Sequence, residues 1–178
     1  MKDIQLHDKT FEIYLPEMEI AKIVQQIADE INNSGIENPL FIAVLNGSFL
    51  FAADIMRKIT IPNSEISFIK LFSYEGTETT GKVNELIGLN QGLKGRNIII
   101  LEDIIDTGNT LEKLNEIILN KEVSSLKIAT LLYKPEAYTK EITIDFIGKS
   151  IPNKFVVGYG LDYDEIGRNL PHIYKLKN

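Results

Sequence analysis

Three carboxylates, Glu102, Asp103 and Asp106, crowd into five positions directly after the apolar run Ile98, Ile99, Ile100 and Leu101. Behind them, Thr107, Gly108, Asn109 and Thr110 bring two hydroxyls, a side-chain amide and a glycine that lets backbone approach a ligand closely. At the start of a helix, where backbone amides lack intrahelical partners, such a run holds a phosphate. The neighbouring charges of Glu102 and Asp103 repel one another unless a cation, ribose hydroxyls or both lie between them. A sugar phosphate carrying magnesium satisfies both halves of the run. A plain turn with a helix N-cap would account for Gly108 and Thr110, but not for carboxylates placed straight after four apolar residues.

A site of this kind needs parallel strands whose carboxyl ends meet loops and helix N-termini. Helical spacing of Ile20, Ile23, Val24, Ile27 and Ile31 after Pro16 predicts a first helix, stopped by Asn33, Ser34 and Gly35. The apolar run over residues 40–45 predicts a strand that ends at Asn46, Gly47 and Ser48, with a helix over residues 49–59 behind it. A strand over residues 66–72 leads into residues 73–82, which have no apolar period and read as a mobile loop. Residues 98–101 form the next strand and residues 102–110 a loop, after which Leu111, Leu114, Ile117 and Ile118 restore helical spacing. Residues 126–133 are a strand stopped by Lys134 and Pro135, and residues 146–151 and 155–158 are two more, separated by Pro152. Near-continuous apolar strands alternating with helices predict an α/β fold, a mostly parallel sheet covered by helices on both faces.

The chain of 178 residues is 44% hydrophobic, within the range of one compact domain, taken as residues 1–178. Its 19 basic and 25 acidic residues leave a net charge of −6, which offers no attraction to nucleic acid. The absence of cysteine excludes disulfides and thiolate metal sites. With a polar opening stretch at Met1, Lys2 and Asp3, it points to a reducing cytoplasm. No apolar run approaches the roughly 20 residues needed to cross a bilayer, so no membrane partner is expected.

Residues 98–111 resemble the phosphoribosyl-pyrophosphate signature of type I phosphoribosyltransferases: an apolar strand, two acids, two apolar residues and Asp-Thr-Gly-x-Thr. The resemblance implies a small hood, built from the N-terminal and C-terminal segments, over the carboxyl ends of the sheet. It implies that Glu102 and Asp103 face the ribose hydroxyls and their magnesium, and that Asp106, Thr107, Gly108, Asn109 and Thr110 enclose the 5′-phosphate. Asp106 is also implied as the carboxylate facing the imidazole side of a purine. Lys134, followed by Pro135, and the run Phe155, Val156, Val157, Gly158, Tyr159, Gly160, Leu161 and Asp162 are similar to the purine-binding end of hypoxanthine-guanine phosphoribosyltransferases. In isolation Lys134 would read as a solvated strand end, and Val156 and Leu161 as core.

Within that resemblance an ammonium at Lys134 is a donor only, and so favours a 6-oxo purine over adenine. Phe155 is implied to stack on the base, Leu161 to close the other side, and backbone of Val156 and Asp162 to read its remaining edge. The Asp162 carboxylate is implied to hold a second magnesium. Leu45, Asn46 and Gly47 match the pyrophosphate loop, with a non-proline cis peptide between Leu45 and Asn46, and Arg168 matches the pyrophosphate-side arginine. Many relatives carry lysine where Asn46 stands, so pyrophosphate binding here draws on backbone donors. Ser73 and Tyr74 match the opening of a loop that closes over the site.

The implied reaction is purine salvage. N9 of hypoxanthine, and of guanine, attacks C1′ of phosphoribosyl pyrophosphate, giving IMP or GMP and pyrophosphate, in a homodimer or homotetramer. Two alternatives stay open. One is a non-catalytic nucleotide-responsive regulator on the same fold, and the other is an unrelated sugar-phosphate enzyme with an independently acquired acidic loop.

Overall fold

The computed structural model describes residues 3–72, 84–87 and 92–177, with residue 72 and residues 84–87 as backbone alone. The elements in chain order are β1 (Ile4–Leu6), β2 (Lys9–Leu15), α1 (Glu17–Asn32), β3 (Leu40–Val44), α2 (Phe49–Met56), β4 (Glu65–Phe72) and β5 (Asn84–Ile87). They continue with β6 (Asn97–Ile105), α3 (Asn109–Leu119), β7 (Ser125–Tyr133), β8 (Phe146–Ser150), β9 (Val156–Val157) and β10 (Ile173–Leu176).

Six strands form one sheet in the order β5-β4-β3-β6-β7-β8. Neighbours from β4 to β8 run parallel, and β5 joins the β4 edge antiparallel. Alternate side chains of a strand leave on opposite faces, so these apolar strands must bury two layers. Phe41, Ala43, Ile99, Leu101, Ala129 and Leu131 join α1 and α2 in one core. Leu40, Ile42, Val44, Ile98, Ile100 and Ile128 join Leu111, Leu114 and Ile118 of α3 in the other.

Helix α1 buries Ile20, Ile23, Val24, Ile27, Ala28 and Ile31, the face expected from their spacing, and carries Glu17 and Glu19 in its first turn, where negative charge suits the helix dipole. The Glu17 amide, with no partner inside the helix, donates to Nδ1 of His172 at 3.0 Å. The chain's carboxyl-terminal part thus caps its first helix.

A second, antiparallel sheet has the order β1-β2-β10-β9 and brings both ends of the chain together around Phe11, Val157 and Tyr174. Strands β1, β2 and β10, and β5 of the first sheet, escaped the sequence reading, and residues 156–157 belong to this second sheet. Two boundaries also move. Helix α2 ends at Met56, residues 57–58 forming a turn, and β6 runs on to Ile105, so Glu102 and Asp103 are strand residues and not loop. The reason lies in the neighbour: β7 continues alongside, pairing Glu102 with Thr130 and Ile105 with Tyr133. Ser73 and Tyr74 lie outside the described residues.

Gly148 in β8 sits directly under α1. A methyl at its Cα would lie 2.5 Å from Ile23 Cγ2 and 2.6 Å from the Leu131 carbonyl oxygen. Gly148→Ala should therefore lower stability by about 1–3 kcal/mol through overpacking. The check is the midpoint of urea unfolding; an unchanged midpoint would mean that α1 moves away from the sheet at no cost.

Candidate functional site

Because β6 and β7 pair in parallel with a constant offset, 133 − 105 = 28, the residues just past the pair, Asp106 and Lys134, emerge side by side. Lys134 Nζ lies 2.6 Å from Asp106 Oδ2, with the lysine side chain 8% exposed and the aspartate 44%. A buried ammonium demands such a partner. The Lys134 amide donates to the Ile105 carbonyl at 2.9 Å, which extends the ladder to the site.

The residues between β6 and α3 line a cleft of about 100 Å³ that includes Glu102, Asp106, Thr107, Asn109 and Thr110. Gly108 stands at the N-cap of α3 with φ 85°, a left-handed conformation that glycine adopts without strain, and no side chain caps the helix. The Asn109 amide donates to the Thr107 hydroxyl at a long 3.5 Å, and an anion is the usual partner of first-turn amides that lack one within the helix. Thr107, Asn109 and Thr110 are exposed. Behind the loop, Thr139 donates to the Thr107 carbonyl through its amide at 3.3 Å and its hydroxyl at 3.2 Å. Tyr138 and the Lys140 stem lie so near Gly108 that a methyl there would sit 2.6 Å and 2.8 Å from them. This bracing turn was missed from sequence, since nothing local in residues 138–140 marks its target.

Glu102 and Asp103 are buried, 6% and 8% exposed. Burial first, and then the field of Asp103, pushes the Glu102 carboxyl well above its usual range. Burial also pushes Asp103 up to about 6. Asp162 adds to that rise, while the amides of Asp103 and Ile104 and the Arg168 guanidinium oppose it.

Against Asp103 lies Gly47, whose Cα could carry a methyl only 1.9 Å from Asp103 Oδ2. The peptide between Leu45 and Asn46 is cis, as the resemblance implied. Gly160, at φ 99°, packs on the Gly47 carbonyl; a methyl there would sit 2.0 Å from that oxygen. Both conformation and space require glycine at this position, which the sequence reading had quoted without a role. Arg168 donates to the Gly160 carbonyl at 3.0 Å and pairs with Asp162 Oδ1 at 2.9 Å and Glu165 at 3.5 Å. Asp162 Oδ2 also accepts the Glu165 amide at 2.9 Å. Asn46, Gly47, Asp103, Gly160, Asp162 and Arg168 are thereby drawn into one group.

Val156 and Leu161 are buried, whereas Phe155 is 44% exposed and meets Phe11 and Tyr163. Among the described residues, no three or more His, Cys, Asp or Glu side chains converge on a point that could hold a metal. No helix among them is long and apolar enough to cross a membrane.

Residues 11–164 match the phosphoribosyl transferase domain. The chain is 42% identical to the hypoxanthine phosphoribosyltransferase of Salmonella typhimurium over 94% of its own length and 96% of that protein. It is 40% identical to the hypoxanthine-guanine phosphoribosyltransferase of Staphylococcus epidermidis, over 97% of each. Among solved structures, a hypoxanthine-guanine phosphoribosyltransferase from Bacillus anthracis aligns with a TM-score of 0.84 and 40% identity, over 94% of this chain and 97% of that one.

The raised carboxyl of Asp103 makes stability depend on pH. Its ordinary value is 3.8 and its folded value about 6, so between the two the folded chain binds more protons than the unfolded one. Stability from this group therefore falls as pH rises through that window. Asp103→Asn should match the parent near pH 4 and exceed it in urea midpoint at pH 7 without divalent ions. A parent that equals or exceeds the variant at pH 7 would show that Asp103 is not penalised by burial.

Proposed function

The chain belongs to the phosphoribosyl transferase family, and from that premise we propose that it transfers the 5-phosphoribosyl group of phosphoribosyl pyrophosphate to N9 of hypoxanthine, and also of guanine. The bond from C1′ to the pyrophosphate oxygen breaks, the bond from C1′ to N9 forms, and the base gives up a proton. The products are IMP or GMP, with pyrophosphate, and the reaction is one of purine salvage.

The observation that carries the reading is the pairing of two subsites at the end of β6. One is a phosphate-sized cleft at the start of α3, and the other is the pair of Lys134 and Asp106 beside it. The exposed groups of Thr107, Asn109 and Thr110, with the α3 amides, hold the 5′-phosphate. Glu102 and Asp103 accept the ribose hydroxyls. Lys134 donates to the 6-oxo group of the base, where the amino group of adenine would oppose a second donor. Asp106 takes the proton that the base releases as N9 attacks. Positive charge builds on the ribose as pyrophosphate departs, and the Asp103 carboxylate, in a water-poor environment, offsets it. Phe155 stacks on the base, Leu161 closes its other side, and backbone of Val156 and Asp162 reads its remaining edge. The amides after Leu45, with Arg168, meet the pyrophosphate.

The donor set fits magnesium. Two neighbouring buried carboxylates, both pushed toward protonation, gain most from a hard cation. Magnesium usually keeps waters and substrate oxygens and takes only one or two protein carboxylates, so a preformed cage is not required. Glu102 and Asp103 would hold it through the substrate, and Asp162 a second ion. Bound there, it supplies charge neutralisation for the departing pyrophosphate.

Steady-state assays with hypoxanthine, guanine and adenine test the reading, together with Asp106→Asn. Turnover is expected with the two oxopurines and not with adenine. The variant should lose about 10²–10⁴-fold in kcat, the worth of a general base, and still bind phosphoribosyl pyrophosphate by calorimetry. Unchanged turnover in the variant would remove the catalytic role of Asp106, and adenine as the sole substrate would reject the base assignment.

A further inference from the structure

Tyr163 has no part in the chemistry above, yet it stands at the centre of the group that carries Phe155. The Tyr163 ring meets that of Phe155 edge-on, with centroids 5.7 Å apart and planes at 82°. Phe11, fully buried, lies 6.2 Å from Phe155 and 6.1 Å from Tyr163, which closes a triangle of rings. Edge-to-face and tilted contacts at such distances are the arrangements aromatic quadrupoles favour.

Tyr163 is itself fixed from outside by the turn between β1 and β2. Its hydroxyl donates to Asp8 Oδ1 at 2.7 Å, the His7 ring meets it edge-on at 5.5 Å, and Lys9 Nζ sits 4.5 Å from its ring centre. Lys9 Nζ is also 5.9 Å from the Phe155 centroid. An exposed phenylalanine standing alone would sample several rotamers, and binding would have to arrest it. Here the ring is held before any base arrives, with 44% of Phe155 still open.

We propose that Tyr163 is a positioning residue for the base. It sets the tilt of Phe155 so that the open face of that ring meets the purine, and Asp8 and Lys9 hold Tyr163 in place. The proposal rests on the reading that Phe155 stacks on the base. Its consequence is selective: the β1–β2 turn governs affinity for the base and leaves the sugar-phosphate half of the site untouched.

Kinetics of four variants test it: Tyr163→Leu, Tyr163→Phe, Phe155→Ala and the double variant Phe155→Ala with Tyr163→Leu. Tyr163→Leu should raise KM for hypoxanthine roughly three- to tenfold, the worth of one aromatic pair. The KM for phosphoribosyl pyrophosphate and kcat should stay unchanged, the signature of lost uniform binding. Tyr163→Phe, which keeps the ring, should restore most of the affinity. In the Phe155→Ala background, Tyr163→Leu should add nothing, because the ring it positions is gone.

A rise in both KM values alike, or the same rise with and without Phe155, would overturn the proposal in favour of a structural role. If Phe155→Ala raises the KM for hypoxanthine and Tyr163→Leu does not, the positioning role alone falls. If Phe155→Ala itself leaves that KM unchanged, the stacking assignment falls and takes this one with it. Should Tyr163→Leu fail to fold, Asp8→Ala, which removes the acceptor of the Tyr163 hydroxyl at the exposed turn, is to show a smaller rise in the KM for hypoxanthine alone. An unchanged value there counts against the proposal.

Discussion

Two carboxylates side by side at the buried end of a central strand are the constraint around which this protein is organised. Glu102 and Asp103 together have little exposure, and burial pushes both toward protonation. A fold optimised for stability alone would place apolar residues there, since buried charge without a partner is costly. Under the proposed function, a cation and ribose hydroxyls would complete that arrangement. The stability it sacrifices is the common trade of a site built for binding.

The rest of the molecule supplies what such a pair needs. Continuous apolar strands on either side hold β6 rigid, and two helical layers seal both faces. The parallel register with β7 delivers Lys134 to Asp106. The segment between β9 and β10 sets Gly160, whose carbonyl accepts from Arg168, against the Gly47 carbonyl, and the loop after β3 sets Gly47 against Asp103 on neighbouring β6. Three segments far apart in sequence are in this way held together by backbone approaches that tolerate no side chain. Glycines carry those contacts because a single methyl would occupy the same space as a carboxylate or carbonyl oxygen.

Much of this was legible in the amino-acid order. The spacing of Ile20, Ile23, Val24, Ile27 and Ile31 identifies α1, and the apolar runs identify β3, β4, β7 and β8, because burial on one stripe or on both faces dictates composition. The run from Glu102 to Thr110 betrays its chemistry by the types of residue it gathers. What stayed hidden is non-local. β10 pairs with β2 across most of the chain, and neither flank announces its partner. Strand β2 did carry a signal, the alternation of Phe11, Ile13 and Leu15, which a search for period-two patterns would have found. The extent of β6 was misjudged because Glu102 and Asp103 interrupt the apolar run, and sheet pairing with β7 overrides that local preference. The link between Asp106 and Lys134 follows from strand register, which residue types alone do not specify.

The central claim is spatial: a sugar phosphate at the start of α3, with an oxopurine beside Lys134 and Phe155. A crystal structure with IMP and magnesium tests it most directly. The account predicts the 5′-phosphate against Thr107, Gly108, Asn109 and Thr110, and the base within hydrogen-bonding reach of Lys134 with its face on Phe155. A phosphate bound anywhere else, or a base remote from Lys134, would contradict it.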